Sequence, residues 1–192
     1  MSEYKTFDRA VTTAAGAIKG VRADQMDLPT PCSEWTVRDL LNHLAGSLWF
    51  HHQLLSGTPV PHPATAGGLP DVDLVGDDPT AAFAEAAAAS LASAAADGAM
   101  ARAIQTPLGE MPGGALTKFI ALDMVVHGWD LATATGQDYE VPAELATQIL
   151  GFARMAINDG TRGPYIAPAV GVDPSASDLE QLVGHMGRAP GA

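Results

Sequence analysis

Apolar residues recur at helical spacing in the first part of the chain. Between residues 4 and 22 they are separated by four, three, four and three positions, which predicts an amphipathic helix with one buried stripe: Phe7, Val11, Ala14, Ile18 and Val21. A second helix is predicted from the capping pair Thr36 and Asp39 to about Leu55. Its buried side would carry Val37, Leu40, Leu41, Leu44 and Leu48.

The pattern continues with further helices. Asp78 and Pro79 are a typical helix start, and the Ala-rich run over residues 80–96 is strongly helix-forming. Residues 115–134 are apolar nearly all round, which predicts a central helix ended by Gly136. A fifth helix is predicted from Pro142, and a short one over residues 178–186. Residues 56–78 predict a long irregular loop, and residues 99–114 a short hairpin or loop.

Four long helices without a convincing series of strands predict an all-α fold. We expect an antiparallel four-helix bundle with an additional C-terminal helix and an extended tail. The length of 192 residues favours a single domain over residues 1–192.

The charge balance narrows the class of partner. Ten Lys and Arg residues stand against 22 Asp and Glu residues, a formal net charge of −12, which disfavours nucleic acid and anionic membrane surfaces. No apolar run has the length of a membrane span, and residues 1–5 do not resemble a signal peptide, so a cytoplasmic location is expected. Cys32 is the one cysteine, so an internal disulfide or a cysteine-cage zinc site is excluded.

The central helix carries an acid and a histidine four residues apart. Asp123 and His127 would lie on one face, and a carboxylate buried there needs a partner. His43, in the apolar second helix, could join them in a divalent-metal site with open positions for water or substrate. A simple Asp–His hydrogen bond and a core histidine are the alternative interpretation.

Other polar residues carry weaker signals. Asp130 could hold the imidazole of His127 from outside the ligand set; the alternative is a solvent-facing acid or a helix hydrogen bond. His51 and His52 point about 100° apart on a helix and are interpreted as surface residues. Cys32 is interpreted as a small buried hydrophobe rather than a nucleophile. Trp49 and Trp129 could wall a pocket, although core packing is the default for both.

Several stretches resemble one known family. Residues 29–44 (PTPCSEWTVRDLLNHL) are similar to the opening of an actinobacterial family of metal-binding proteins. This family belongs to the DinB-like superfamily and is related to the N-terminal domain of mycothiol-dependent maleylpyruvate isomerase. Residues 108–113 (LGEMPG), 123–136 (DMVVHGWDLATATG) and 183–190 (VGHMGRAP) also resemble it. The resemblance covers nearly the whole chain, in order.

The resemblance implies a four-helix bundle whose metal is held by three side chains, which match His43, Asp123 and His127 here. The isomerase pattern has a glutamate in place of Asp123, so the shorter carboxylate is expected to reach the metal through water or to bind it more weakly. The separate C-terminal domain that the isomerase carries is not expected in this chain.

The resemblance also implies a chemistry. The metal, zinc with nickel as the alternative, would activate water or a small thiol such as mycothiol. The leading hypothesis is a thiol-dependent transferase or isomerase that takes a small-molecule thiol or electrophile. A homodimer is one option for its assembly. A non-catalytic metal- or ligand-binding bundle, acting as a sensor or in sequestration, is the second hypothesis. A zinc anti-sigma module is disfavoured because it requires a Cys-x-x-Cys pair.

Overall fold

A computed structural model describes residues 2–33, 35–57, 69–106, 109–162 and 166–190. In this part of the chain, helices dominate and the only strands form one short hairpin. The elements are α1 (Glu3–Lys19), a 3₁₀ turn (Ala23–Gln25), α2 (Val37–Ser56), α3 (Pro79–Ala95), β1 (Ala103–Thr106), β2 (Gly109–Pro112), α4 (Gly113–Thr135), α5 (Ala143–Ala156) and α6 (Asp178–His185). The predicted all-α fold is confirmed. Of the predicted irregular loop, residues 58–68 lie outside the described residues.

The helix boundaries follow local chemistry. At the start of α2, the Thr36 hydroxyl accepts from the Asp39 backbone N–H, and the Asp39 carboxylate accepts from that of Thr36, so two otherwise unpaired donors are satisfied. Asp78 caps α3, with Pro79 as the first helical residue. Gly136 ends α4 at φ +69°, a left-handed conformation that glycine adopts without strain. The predicted caps and the α4 stop are therefore confirmed.

Contacts between Cα atoms divide the chain into two compact units, Met1–Asp138 and Tyr139–Ala192. In the first unit, α1 packs on α3 and α4, and α2 packs on the same two helices, so the four helices form a closed bundle. Large side chains fill its interior, and those with less than 2 % exposure are Phe7, Ile18, Leu40, Leu41, Leu44, Leu48, Leu55, Met124 and Leu131. The predicted central position of α4 agrees with its extensive buried surface.

The antiparallel hairpin precedes α4 directly. Its register pairs Ala103 with Pro112 and Thr106 with Gly109. At the first residue of α4, Gly113, an added Cβ would lie 2.1 Å from the carbonyl oxygen of Ala99, so this close approach of two backbone segments requires glycine.

The second unit contains α5 and α6, which pack on each other. The ring of His185 donates to the backbone carbonyls of Ala153 and Ile157 from α6 to the end of α5. The short predicted helix at the C-terminal end is therefore observed. The organisation of residues 1–192 as a single domain stays a prediction.

Candidate metal centre

Two neighbouring helices bring His43, Asp123 and His127 together; we call these three residues the His–Asp–His cluster. His43 lies on α2, and Asp123 and His127 lie one turn apart on α4. The Oδ1 atom of Asp123 is 3.1 Å from Nε2 of His43 and 3.4 Å from Nε2 of His127. One donor atom from each residue lies within 4.8 Å of the others. The three residues singled out from the sequence therefore meet at one place.

The cluster is buried but reachable. The side-chain exposure is 3 % for His43, 12 % for His127 and 24 % for Asp123, so Asp123 is the most exposed of the three side chains. Its Oδ2 atom has less than 1 Å² of accessible area and no hydrogen-bond partner. Leaving a charged oxygen buried without a partner is unfavourable by at least about 1–3 kcal/mol. The Oδ2 atom of Asp123 thus lacks one positively charged or hydrogen-bonding partner, and a divalent cation bound by the three residues would supply it.

The charge of Asp123 is set by its neighbours. Burial by itself would raise the pKa of this carboxyl, but the charge and hydrogen bond of His43, followed by the charge of His127, hold the pKa well below its ordinary value. The Ser47 hydroxyl, 3.5 Å from Nε2 of His43, lowers the pKa further. Asp123 is therefore an anion at neutral pH, as a metal ligand must be.

Asp130 fixes the orientation of His127. Its side chain is fully buried, and its Oδ2 lies 2.9 Å from Nδ1 of His127. A carboxylate can only accept, so Nδ1 carries the proton, and in the neutral ring the lone pair is on Nε2, the atom that faces Asp123. The interpretation of Asp130 as a solvent-facing acid is wrong, because the packing of α4 places this position inside the bundle.

A turn between the 3₁₀ segment and α2 places a tryptophan ring beside both histidines; we call its described residues, 29–33, 35 and 36, the site turn. The Trp35 ring centre lies 4.7 Å from that of His43 and 5.8 Å from that of His127. Sequence reasoning missed this contact and considered Trp49 and Trp129 instead. The ring of Trp49 packs on His52 at 5.8 Å. The position of Trp35 directly before the cap of α2 was visible in the sequence, but the direction of its ring depends on the turn.

Cys32 also belongs to the site turn. Its sulfur and one donor atom each of His127 and Asp130 lie within 4.8 Å of one another; we call this group the Cys32 cluster. The residue is half-buried. The interpretation of Cys32 as a buried hydrophobe is therefore wrong, because the turn places the thiol beside polar groups.

His51 and His52 are not a surface pair. His51 is fully buried, with Nδ1 2.7 Å from the Ser90 hydroxyl and Nε2 2.9 Å from that of Thr117. We call His51, Ser90 and Thr117 the hydroxyl cluster. The expectation of a surface residue is wrong for His51 because α3 and α4 both supply polar partners. His52 is half-buried and contacts the Ser93 hydroxyl at 2.6 Å, so the two rings do have separate surroundings, as their helical spacing predicts.

The hydroxyl cluster is fully satisfied. Thr117 donates to the Gly113 carbonyl and therefore accepts from Nε2–H of His51, which leaves Nδ1 to accept from Ser90. Burial, and then the charge of His52, lower the pKa of His51 to about 3. This histidine is neutral at physiological pH.

Comparison with known proteins assigns the family. The family model of the mycothiol maleylpyruvate isomerase N-terminal domain matches residues 7–132, which span α1 to α4 and include the whole His–Asp–His cluster. The chain belongs to this family. The resemblance seen in the sequence motifs is thereby confirmed, and the helical bundle agrees with a DinB-like fold.

The chain is also similar to two further proteins in sequence and to two solved structures in fold. The uncharacterized proteins Rv0738 and MT0763, from two strains of Mycobacterium tuberculosis, are each 37 % identical over 166 residues, which cover 85 % of this chain and 84 % of theirs. Two crystal structures of the mycothiol-dependent maleylpyruvate isomerase, one of a mutant, share the fold with TM-scores of 0.60 and 0.57. The alignment with each structure covers 80 % of this chain and 68 % of the isomerase chain, and the sequence identities are 12 % and 14 %.

No helix among the described residues is long and apolar enough to span a membrane.

Proposed function

We propose that the His–Asp–His cluster binds a divalent metal ion. Zinc is the first candidate, and nickel is the alternative. The observation that carries this proposal is the unpartnered Oδ2 of Asp123 beside two imidazoles on neighbouring helices. Two imidazoles and a carboxylate are ligands that suit zinc, and three protein ligands leave coordination positions for an external molecule.

The tautomer of His127 supports the same proposal. Asp130 holds the Nδ1 proton, so a neutral His127 directs its Nε2 lone pair toward Oδ1 of Asp123, 3.4 Å away. Two acceptors that face each other repel unless a proton or a cation lies between them. A buried carboxylate on the far nitrogen also makes a ligating imidazole more basic, which is the part that we propose for Asp130.

We further propose a thiol-dependent transferase or isomerase that uses a small thiol of the mycothiol type. When bound, the metal would lower the pKa of a coordinated thiol or water, so that thiolate or hydroxide is present near neutral pH. The printed names of the family and of the solved structures support the choice of thiol, since they describe a mycothiol-dependent isomerase. The residues of this chain orient the site: Asp130 fixes the His127 ring, and Trp35 excludes water from one side of both imidazoles.

The cytoplasm is the compartment that we propose, because low-molecular-weight thiols are kept reduced there. A small-molecule electrophile would be the second substrate. The homodimer stays a prediction.

The experiment compares metal content and chemistry in one set of proteins. Zinc and nickel are measured by plasma mass spectrometry in the wild type and in His43→Ala, Asp123→Ala and His127→Ala, followed by a screen of thiol-dependent turnover of electrophiles, maleylpyruvate included. We expect stoichiometric metal and thiol-dependent turnover in the wild type, and neither in the variants. Full metal in any variant removes that residue from the ligand set. Metal binding without any thiol-dependent turnover would establish the alternative, a non-catalytic binding bundle.

A further inference from the structure

Ser47 lies one helical turn after His43 on α2, so both side chains belong to one face of that helix. Its Oγ is 3.5 Å from Nε2 of His43, the same nitrogen that lies 3.1 Å from Oδ1 of Asp123. Ser47 is only half-buried, and the side chain of Asp123 is 24 % exposed. The hydroxyl therefore lies beside the proposed ligand atoms and next to a side chain that keeps contact with solvent. The proposed function gives Ser47 no part.

The direction of the Ser47 hydroxyl differs from that of other hydroxyls in the helices. Hydroxyls inside helices commonly donate to the carbonyl four residues earlier, and Thr13, Ser93 and Thr117 do so here. In the described part of the chain, Ser47 makes no such bond and contacts the His43 ring instead. That contact is at the outer limit of a hydrogen bond, so the hydroxyl proton can serve a further acceptor.

The acceptor that fits this position is an anion held by the metal. Asp123 can only accept, so the neutral His43 ring donates its Nε2–H to Oδ1. Metal binding at Nε2 requires loss of that proton. A zinc ion lies about 2 Å from a ligating nitrogen, so it would be within about 6 Å of the Ser47 hydroxyl. The hydroxyl also lowers the pKa of Asp123, so it already stabilises negative charge at the cluster.

We propose that Ser47 binds the external thiol: its hydroxyl donates a hydrogen bond to the thiolate sulfur that the metal holds. A sulfur ligand lies about 2.3 Å from zinc, so it can occupy the space between the ion and the hydroxyl. Hydrogen bonds to an ionised acceptor are about twice as strong as neutral ones, which favours the thiolate over the thiol. This inference rests on the proposed function and assigns a residue that orients its thiol substrate.

The test uses the full chain loaded with cobalt(II), which takes the ligands of zinc and absorbs visible light. Cobalt titration measures the metal affinity, and the sulfur-to-cobalt charge-transfer band measures the affinity of the loaded protein for 2-mercaptoethanol. Ser47→Ala removes the hydroxyl, and Ser47→Thr keeps it. Ser93→Ala is the matched control, because it removes a hydroxyl that also contacts an imidazole, that of His52 at 2.6 Å. Circular dichroism checks the fold of each variant.

We expect Ser47→Ala to bind cobalt within about twofold of the wild-type affinity, but to bind 2-mercaptoethanol about tenfold more weakly. The thiol affinity falls because the thiolate keeps its bond to the metal and loses its hydrogen bond. Ser47→Thr and Ser93→Ala should bind both cobalt and the thiol within about threefold of the wild type.

Unchanged thiol affinity in Ser47→Ala would overturn the inference and leave the proposed function standing. Loss of cobalt binding in this variant would make Ser47 a metal ligand, and loss of the fold would make it a structural residue; either result also overturns the inference. So does a Ser47→Thr or Ser93→Ala variant that binds the thiol as weakly as Ser47→Ala. A wild type that binds no cobalt, or binds cobalt but no thiol, overturns the proposed thiol chemistry, and the inference with it.

Discussion

The bundle contains two buried histidine clusters whose α2 members, His43 and His51, are two helical turns apart. Both clusters link α2 to α4, and His43 and His51 are each at most 3 % exposed. In the hydroxyl cluster every ring nitrogen has a neutral partner, and the pKa of His51 is lowered to about 3. In the His–Asp–His cluster, two imidazoles surround a carboxylate with one unpartnered oxygen. Burial alone therefore does not distinguish the two clusters; the satisfaction of their hydrogen bonds does, and it is the basis on which we propose His43 as a metal ligand.

The largest effect is expected when the side chain of His51 is removed, which tests whether the two clusters have separate roles. We expect His51→Ala to lower the free energy of unfolding by about 3 kcal/mol, because it leaves a cavity and takes the acceptor from Ser90. Zinc affinity, relative to the wild type, should stay unchanged. Urea denaturation and zinc titration of the same protein give both quantities. A stable variant that has lost zinc would show that the two clusters are one functional unit.

Removing the charge from the His–Asp–His cluster should weaken zinc binding without lowering stability, which is the opposite of the result expected for His51→Ala. Asp123→Asn keeps the shape but loses the anion, so we expect zinc to bind more than about a hundredfold more weakly. The melting temperature of the metal-free protein should not fall, since a buried charge with an unpartnered oxygen is removed. Asp97→Asn, at an exposed position on the chain, is the control for the loss of one negative charge. Equal zinc affinity in both variants would contradict the assignment of Asp123.

The pH dependence of stability sharpens the comparison further. The unfolded chain protonates His51 near pH 6.5, whereas the folded chain does so only near pH 3. Between these values the unfolded state binds more protons, so stability falls as the pH falls. From pH 7 to pH 5 the free energy of unfolding should drop by about 2 kcal/mol through this group.

The difference in slope between the wild type and His51→Gln isolates this contribution from other titrating groups. Urea denaturation at several pH values measures it. Parallel curves for the two proteins would show that His51 takes up its proton equally in the folded and unfolded states.

The smallest effect is expected at Asp130. Asp130→Asn keeps an acceptor for the His127 ring but removes the negative charge, so zinc should bind about tenfold more weakly without loss of the fold. Competition with a chromophoric chelator measures the affinity, and circular dichroism checks the fold. An affinity within twofold of the wild type would make Asp130 a packing residue of α4.

The local part of the architecture could be predicted from the sequence. Apolar periodicity placed α1, α2 and α4 within a few residues of their observed limits, and the Thr36–Asp39 box and Gly136 set two helix ends. These signals depend on neighbours within about one or two turns, which a linear sequence displays directly. The spacing of Asp123 and His127 on one helix face belongs to the same class.

Other features required the packing of helices far apart in the chain. The meeting of His43 with Asp123 joins residues 80 positions apart. The apolar surroundings of His43 in the sequence made it a candidate partner and the motif resemblance favoured it, but spacing along the chain could not show that the two side chains meet. The partners of His51 come from α3 and α4, so its burial could not be seen in α2 alone. The backbone of the site turn decides where Cys32 and Trp35 point. The sequence thus determined the helices and the candidate ligands, whereas the tertiary structure decided which polar groups are satisfied, because that depends on neighbours brought close only by folding.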